Sequence, residues 1–364
     1  MTAPTTIAHQ RLANQHIANP APAKPEEIVH EMGVIQAQDY LGALWAVGLR
    51  TPGATQEDIE QAIAACKFVR TWPMRGTLHF VAAQDVRWML ALRVPRAIQA
   101  SATRYCQLGL DENTFARSGK QISHVLRNGN RMTREALYQA LEAAHISTEG
   151  QRGIHILGHL AQEGLICFGP RDGKQQVFVL LEEWVPAASA LPGAGILPRD
   201  QALAELTRRY FTSHGPATVR DFAWWSGLTA SDARASLEMA SPNLAQEEID
   251  GQTYWGPRSV PGSVEPSPTA HLLPAFEEYL LGYTDRSAVL EPGYAMRMVA
   301  RNGMISPIIV IDGQVVGTWK RVFKKEAVAI TPDWFTKPDE AYQQAYSDAA
   351  SRYGAFLGLE VVLA

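Results

Sequence analysis

Apolar residues recur at the three-to-four-residue spacing of helices over 25–32, 36–47 and 55–66, then give way to extended runs at 68–72 and 76–81. The stretch 125–181 repeats that order more sharply. Thr133-Arg134-Glu135-Ala136-Leu137 opens a helix with Thr133 as its cap, a second helix runs near 153–162, and β-rich runs at 164–168 and 176–180 flank an Asp172-Gly173 turn. A further copy lies downstream: 200–212 is amphipathic, 218–227 carries Val219-Arg220-Asp221-Phe222-Ala223-Trp224-Trp225, 231–239 is another helix, and a hairpin at 247–255 turns on Asp250-Gly251.

Helix, helix, then hairpin is the winged-helix order, in which the second helix enters the major groove of DNA and the hairpin flanks it. Proline- and glycine-rich stretches at 186–198 and 256–268 separate the modules as linkers. Beyond Pro268 the pattern turns to strands, at 305–311, at 315–323 after an Asp312-Gly313 turn, and at 327–330 and 360–363, with a helix at 337–354 packed on them. The pattern therefore predicts an α+β chain: winged-helix modules at 1–82, 83–185 and 199–256, the second with basic helices, and a β-rich C-terminal domain at 268–364.

With 364 residues, 46% of them hydrophobic, the chain is long enough for several cores. No apolar run is long enough to span a membrane, and the first 25 residues, with Pro4, Pro20, Pro22 and Pro25, lack the basic start and apolar core of a signal peptide. The expectation is a soluble cytoplasmic protein. Cys66, Cys106 and Cys167 are too far apart for a zinc knuckle and odd in number, so they are expected to be buried, inert thiols.

A formal net charge of −4 argues against a nucleic-acid partner until its distribution is considered. Between Lys67 and Arg134 twelve Lys and Arg stand against three acids. Such a segment suits phosphate, although a basic run is also the ordinary composition of a solvated helix face. With no coiled-coil or dimerising helix in view, the expectation is a monomer that binds double-stranded DNA.

Phosphate-binding loops, serine-nucleophile elbows, zinc-protease helices and paired cysteine motifs are all missing from the sequence. His155 and His159 share a helix face, but without an acid or cysteine nearby they suit packing or phosphate better than a metal. No metal or cofactor is expected. One polar cluster stands out: Gln36-Ala37-Gln38-Asp39 puts two amides and a carboxylate directly after the apolar run 32–35. Alone, it is as compatible with surface capping as with catalysis.

Three further runs surround it in meaning: Arg75-Gly76-Thr77-Leu78-His79 within 70–80, Pro274-Ala275-Phe276-Glu277-Glu278-Tyr279 within 272–286, and Asp312-Gly313 through Thr318-Trp319-Lys320-Arg321 within 307–321. Together with the Q-x-Q element, and in this order, they resemble the winged-helix DNA glycosylases of the AlkZ and YcaQ kind, which excise alkylated purines and unhook interstrand crosslinks. The likeness spans nearly the whole chain. It implies tandem winged helices and a β-rich C-terminal domain forming a concave DNA-binding surface, with Gln36 and Gln38 as the catalytic pair. Two departures bear on substrate: Ala37 is smaller than the bulky aliphatic residue of the crosslink-specialised members, and the YcaQ branch has an acid where Gln38 stands.

Two neutral amides suffice only for a base already prepared to leave. A normal purine needs a general acid and a carboxylate, whereas an N7-alkylated purine carries positive charge and departs neutral. Gln36 and Gln38 are expected to orient a water at C1′ and to place carbonyl dipoles against the sugar cation. Asp39 either assists or caps local backbone. On a strand the two glutamines share a side, on a helix they diverge, and the sequence is compatible with both.

Arg75, Thr77 and His79 are expected along the DNA cleft, with Arg75 either on phosphate or paired with a buried acid. Lys320, Arg321, Lys324 and Lys325 form a second basic edge. Glu277, Glu278 and Asp285 are expected to be structural partners, for Arg286 among others, with a carboxylate here as the fallback catalytic group. Two other function classes remain open: a non-catalytic winged-helix regulator, which would prefer one DNA sequence and leave it intact, and a small-molecule protein using the modules as scaffold.

Overall fold

The computed structural model describes residues 3–18, 23–185, 195–259, 267–299 and 305–364. The central parts of both expected linkers, 186–194 and 260–266, lie outside the described residues. The chain forms two compact units, one of residues 1–59 with 203–364 and the other of residues 60–202.

In chain order the first elements are α1 (Ala3–Asn14), α2 (Pro25–Glu31), β1 (Ile35–Gln36), α3 (Tyr40–Gly48) and α4 (Gln56–Ala64). Then come β2 (Phe68–Met74), β3 (Thr77–Ala82), α5 (Val86–Gln107), α6 (Glu112–Leu126), β4 (Met132–Thr133), α7 (Arg134–Ala143), α8 (Arg152–Gln162), β5 (Ile166–Phe168), β6 (Val177–Leu180) and α9 (Leu181–Trp184). Next are α10 (Arg199–His214), α11 (Val219–Ser226), α12 (Ala230–Ala240), β7 (Leu244–Ile249), β8 (Gln252–Pro257), β9 (Ala270–Leu273) and α13 (Glu278–Leu281). The last are β10 (Ile308–Ile311), β11 (Gln314–Phe323), β12 (Ala327–Trp334), α14 (Glu340–Leu357) and β13 (Glu360–Leu363). The fold is mixed α+β.

In the unit of residues 60–202, α7 starts where Thr133 Oγ1 accepts the Ala136 N–H at 3.2 Å, satisfying one of the free donors of the first turn. The hairpin β5–β6 pairs Ile166 with Leu180 and Phe168 with Phe178. Their apolar side chains meet Leu137 and Leu141 of α7 and Ile156 and Leu160 of α8 in one buried cluster. Each such side chain contributes about 1.5–3 kcal/mol on burial.

In the unit of residues 1–59 and 203–364, helices α11 and α12 are capped by Thr218 and Thr229, and Asp221 completes a capping box with Thr218. Hairpin β7–β8 turns on Asp250 (φ 50°) and Gly251 (φ 75°), the left-handed pair that a two-residue hairpin loop requires. Five strands then form one sheet in the order β13-β12-β11-β10-β9, antiparallel except where β13 runs alongside β12. Helix α14 begins two residues after Pro338 with Asp339 Oδ1 accepting from Tyr342 N, and packs on this sheet through Tyr353, whose ring meets Trp319 edge-on at 5.3 Å.

Two expectations need correction. Residues 36–47 are not one helix: Gln36 ends a short strand and α3 starts only at Tyr40, because Asp39 has extended backbone (φ −89°, ψ 106°). The cysteines are all free among the described residues, but they are not all buried: Cys106 is exposed on α5, Cys66 is half-buried, and only Cys167 is enclosed.

Candidate active site

The Q-x-Q segment is delivered by a turn and a strand. Gly33, at φ 77°, takes the chain out of α2 in a conformation that a side chain would strain, and Val34 to Gln36 then run extended and buried. Ala37 is fully enclosed, Gln36 is 7% exposed, and Gln38 emerges at a bend just before α3. The alternation that puts residues i and i+2 on one side of a strand therefore applies as far as that bend. Chemically, the segment offers one amide rooted in the protein interior and one at the surface.

A buried carboxylate holds the segment from behind. The Gln36 N–H donates to Glu278 Oε1 at 3.1 Å, and Trp225 Nε1–H donates to Glu278 Oε2 at 2.8 Å. His214 Nε2 lies 3.5 Å from the same oxygen, an ion-pair distance without a well-formed hydrogen bond. Both Glu278 and His214 are shut away from solvent. Burial outweighs the neighbouring carboxylate and keeps the His214 pKa below its ordinary value, so the ring stays neutral near pH 7. Tyr210 stacks on it at 4.8 Å.

Glu277, the preceding residue, faces a different partner from the one expected. Its Oε1 lies 2.5 Å from Arg50 Nη2, with both side chains buried. Arg50 also donates from Nε to Gln15 O and from Nη1 to Ala46 O, each at 2.8 Å. Arg286, the cation expected for this acidic motif, instead donates to Leu280 O at 2.8 Å. Phe276, at φ 60°, supplies the turn that sends two consecutive carboxylates into the interior, a left-handed conformation costing about 1–2 kcal/mol for a side-chain-bearing residue. Asp285 caps the Ser287 amide rather than pairing with a cation.

Asp39 occupies the first capping position of α3, yet its carboxylate accepts no capping hydrogen bond there. It lies 3.2 Å from Arg321 Nη2 on β11. A Cβ at residue 42 would sit 2.6 Å from Asp39 Oδ2, so Gly42 leaves the space in which that carboxylate rests. Arg321, expected as a phosphate contact, is thus engaged with the Q-x-Q segment, while its neighbour Lys320 is exposed, as are Lys324 and Lys325. Trp45 of α3 fastens the same region to the sheet by donating to Leu272 O at 2.6 Å.

The other expected residues belong to the unit of residues 60–202. Arg75 (φ 52°) and Gly76 (φ 70°) form the two-residue turn of hairpin β2–β3, where Met74 faces Thr77. Arg75 and Thr77 are half-buried. His79 is fully buried, its Nδ1 3.0 Å from Thr77 O, so its ring supports the hairpin from within rather than presenting an open face. In the basic segment, Arg70 is internal, donating to Gln176 Oε1 at 3.1 Å and lying over the Phe168 ring. Lys67, Lys120 and Arg127 are exposed. His159 stacks on Phe115 at 3.7 Å, and among the described residues no group of three or more His, Cys, Asp or Glu converges as a metal site.

The sequence pattern singles out the two glutamines but not the residues packed behind them. His214, Trp225 and Arg50 carry no local motif. The usable signal was indirect: a tryptophan, Trp225, within an amphipathic helix and two adjacent acids within an apolar run, each of which demands a polar partner once enclosed.

Among the described residues, no helix is long and apolar enough to cross a membrane. A family model described as DNA glycosylase AlkZ-like matches residues 29–356. A curated relative, the interstrand DNA cross-link repair glycosylase of Streptomyces sahachiroi, is 25% identical over 359 residues, covering 94% of this chain and 95% of its own. The solved structure of the Streptomyces sahachiroi DNA glycosylase AlkZ superposes with a TM-score of 0.80 at 23% identity, covering all of both chains.

Proposed function

From the fact that this chain belongs to the AlkZ-like DNA glycosylase family, we propose that it hydrolyses the N-glycosidic bond of N7-alkylated, cationic purines in double-stranded DNA. The observation that carries the proposal is the placing of two neutral amides, Gln36 and Gln38, on a segment gripped through the Gln36 backbone. A neutral amide is a poor acid and a poor base. It suits a leaving group that already bears its positive charge, for which orienting a water and placing a carbonyl dipole beside the sugar cation are the remaining tasks.

Gln38, at the surface, is the group assigned to the water. Gln36, rooted beneath it, is assigned to the carbonyl dipole that meets the oxocarbenium charge, and Asp39, committed to Arg321, is an auxiliary rather than the base. Arg75, Thr77 and the exposed Lys320 are assigned to DNA contacts. His79 is assigned to the hairpin that carries Arg75. The reading keeps modules at 1–82, 83–185, 199–256 and 268–364, the first three as winged helices on the recurrence of helices followed by a hairpin, and a monomer that needs no metal or cofactor.

The test is a duplex carrying 7-methylguanine, scored for free base and abasic sites, beside Gln36→Ala and Gln38→Ala. Release by the unaltered protein and loss in both variants is the expected result. A protein that binds the duplex in a sequence-preferring manner and leaves it intact would be the regulator instead. Since the Streptomyces relative is named for crosslink repair, a duplex crosslinked through guanine N7 is the second substrate, and Ala37→Leu probes whether the small central residue limits its use.

A further inference from the structure

Glu278 lies outside the Q-x-Q element, yet its buried carboxylate touches that element directly. One of its oxygens accepts from the Gln36 amide at 3.1 Å, and the other accepts from Trp225 Nε1 at 2.8 Å. His214 Nε2 stands 3.5 Å from that second oxygen. The Glu278 backbone N–H is in turn taken by Glu277 Oε1 at 3.0 Å, whose carboxylate is bound to Arg50. A chain of contacts thus runs from the buried Arg50 pair, through two adjacent acids, to the backbone of the first glutamine.

We propose that Glu278 is the positioning residue of the Q-x-Q segment, fixing where the Gln36 amide stands by holding its backbone N–H, with the Trp225 indole fixing the carboxylate itself. The proposal rests on the glycosylase reading above and extends it from the two glutamines to the support beneath them. A carboxylate is the group that meets the geometry. Both of its oxygens accept, one from a backbone N–H and one from an indole N–H, and neither needs a proton of its own. A glutamine in its place has one carbonyl oxygen and one NH₂, so one of the two donors would face another donor.

Charge adds a second effect. A carboxylate fixed one hydrogen bond behind Gln36, within an interior that screens poorly, favours positive charge developing on the sugar without touching it. Because it acts through placement and field, its loss should slow the chemical step more than it weakens duplex binding. An effect of that kind is separable from general destabilisation.

The experiment combines kinetics with amide exchange. Glu278→Gln should lower kcat for 7-methylguanine release by roughly tenfold or more while KM stays within about twofold. In a Gln36→Ala background the same substitution should cost little further, since the group being positioned is gone. Equal losses in the two backgrounds, or a fall in binding matching the fall in kcat, would overturn the proposal.

Exchange at the Gln36 amide, resolved by ¹⁵N-glutamine labelling, is independent of activity. In the unaltered protein it should be slower than at exposed Gln38, and Glu278→Gln or Trp225→Phe should speed it by roughly tenfold or more. An unaltered Gln36 amide that exchanges as fast as Gln38 refutes the positioning role even if neither variant folds. A protein inactive on 7-methylguanine but with this exchange pattern loses the glycosylase reading and keeps the positioning one.

Discussion

The carboxylate of Asp39 rests 3.2 Å from the guanidinium of Arg321, so the residue that follows the second glutamine is tied to a strand 282 positions further along the chain. The pair is partly exposed, 35% at the acid and 15% at the arginine, and partial solvation limits its worth. A double-mutant cycle of Asp39→Asn and Arg321→Gln should give a coupling of about 1 kcal/mol or less in urea unfolding. Lys320 is the contrasting neighbour. Lys320→Ala should leave the unfolding midpoint alone and reduce the slope of log Kd against log salt by about one ion, whereas an unchanged slope would remove it from the DNA contacts.

Gln36 and Gln38 should fail in different ways. Gln38 is exposed, so Gln38→Ala should cut kcat by roughly a hundredfold without shifting the unfolding midpoint. Gln36 is 7% exposed, and truncating it removes buried contacts as well, so Gln36→Ala should lose both activity and about 1–2 kcal/mol of stability. Equal stability losses in the two variants would contradict this division between a rooted and a surface amide.

Local chemistry was legible in the sequence. Thr133 caps the helix its position announced, and Asp250-Gly251 and Asp312-Gly313 make the hairpin turns, because caps and two-residue loops depend on residues within one turn of each other. The Q-x-Q backbone was not legible, since a four-residue apolar run such as 32–35 fits a strand as well as a helix end. Pairings across the chain were hidden for a different reason. Glu277 had a nearby arginine in Arg286, but burial selects a partner by position in space, and the one delivered there is Arg50, 227 residues away in sequence. Cys106 was misjudged because cysteine composition says nothing about which side of a helix a residue takes.

That buried pair makes a prediction of its own. Removing one partner leaves the other charge enclosed without compensation, which is costlier than the net worth of the pair. Glu277→Ala should destabilise the protein by about 3–5 kcal/mol in urea unfolding, and Arg50→Met with Glu277→Leu should recover a good part of that loss. If Glu277→Ala cost less than about 1 kcal/mol, water or another acid must reach Arg50.

His214 gives stability a pH dependence with a definite sign. Burial holds its pKa below the ordinary 6.5, and His155 and His159 are held down for the same first cause. Well above pH 6.5 these rings are neutral in both folded and unfolded chains and contribute no slope. As pH falls through 6.5 the unfolded chain takes up protons that the folded chain refuses, so stability is lost with acidification, by at most about 1.4 kcal/mol per pH unit for each ring. Carboxylates whose pKa values are lowered by hydrogen bonds, such as Glu31 and Asp58, act in the same direction, but only once pH drops toward 4.5. The interval from pH 6.5 to 5 therefore belongs to the histidines. Urea midpoints measured across it should decline in the unaltered protein and decline less steeply in His214→Gln. Identical slopes would mean that His214 protonates in place, paired with Glu278, which would make the carboxylate beneath Gln36 half of an ion pair in that range.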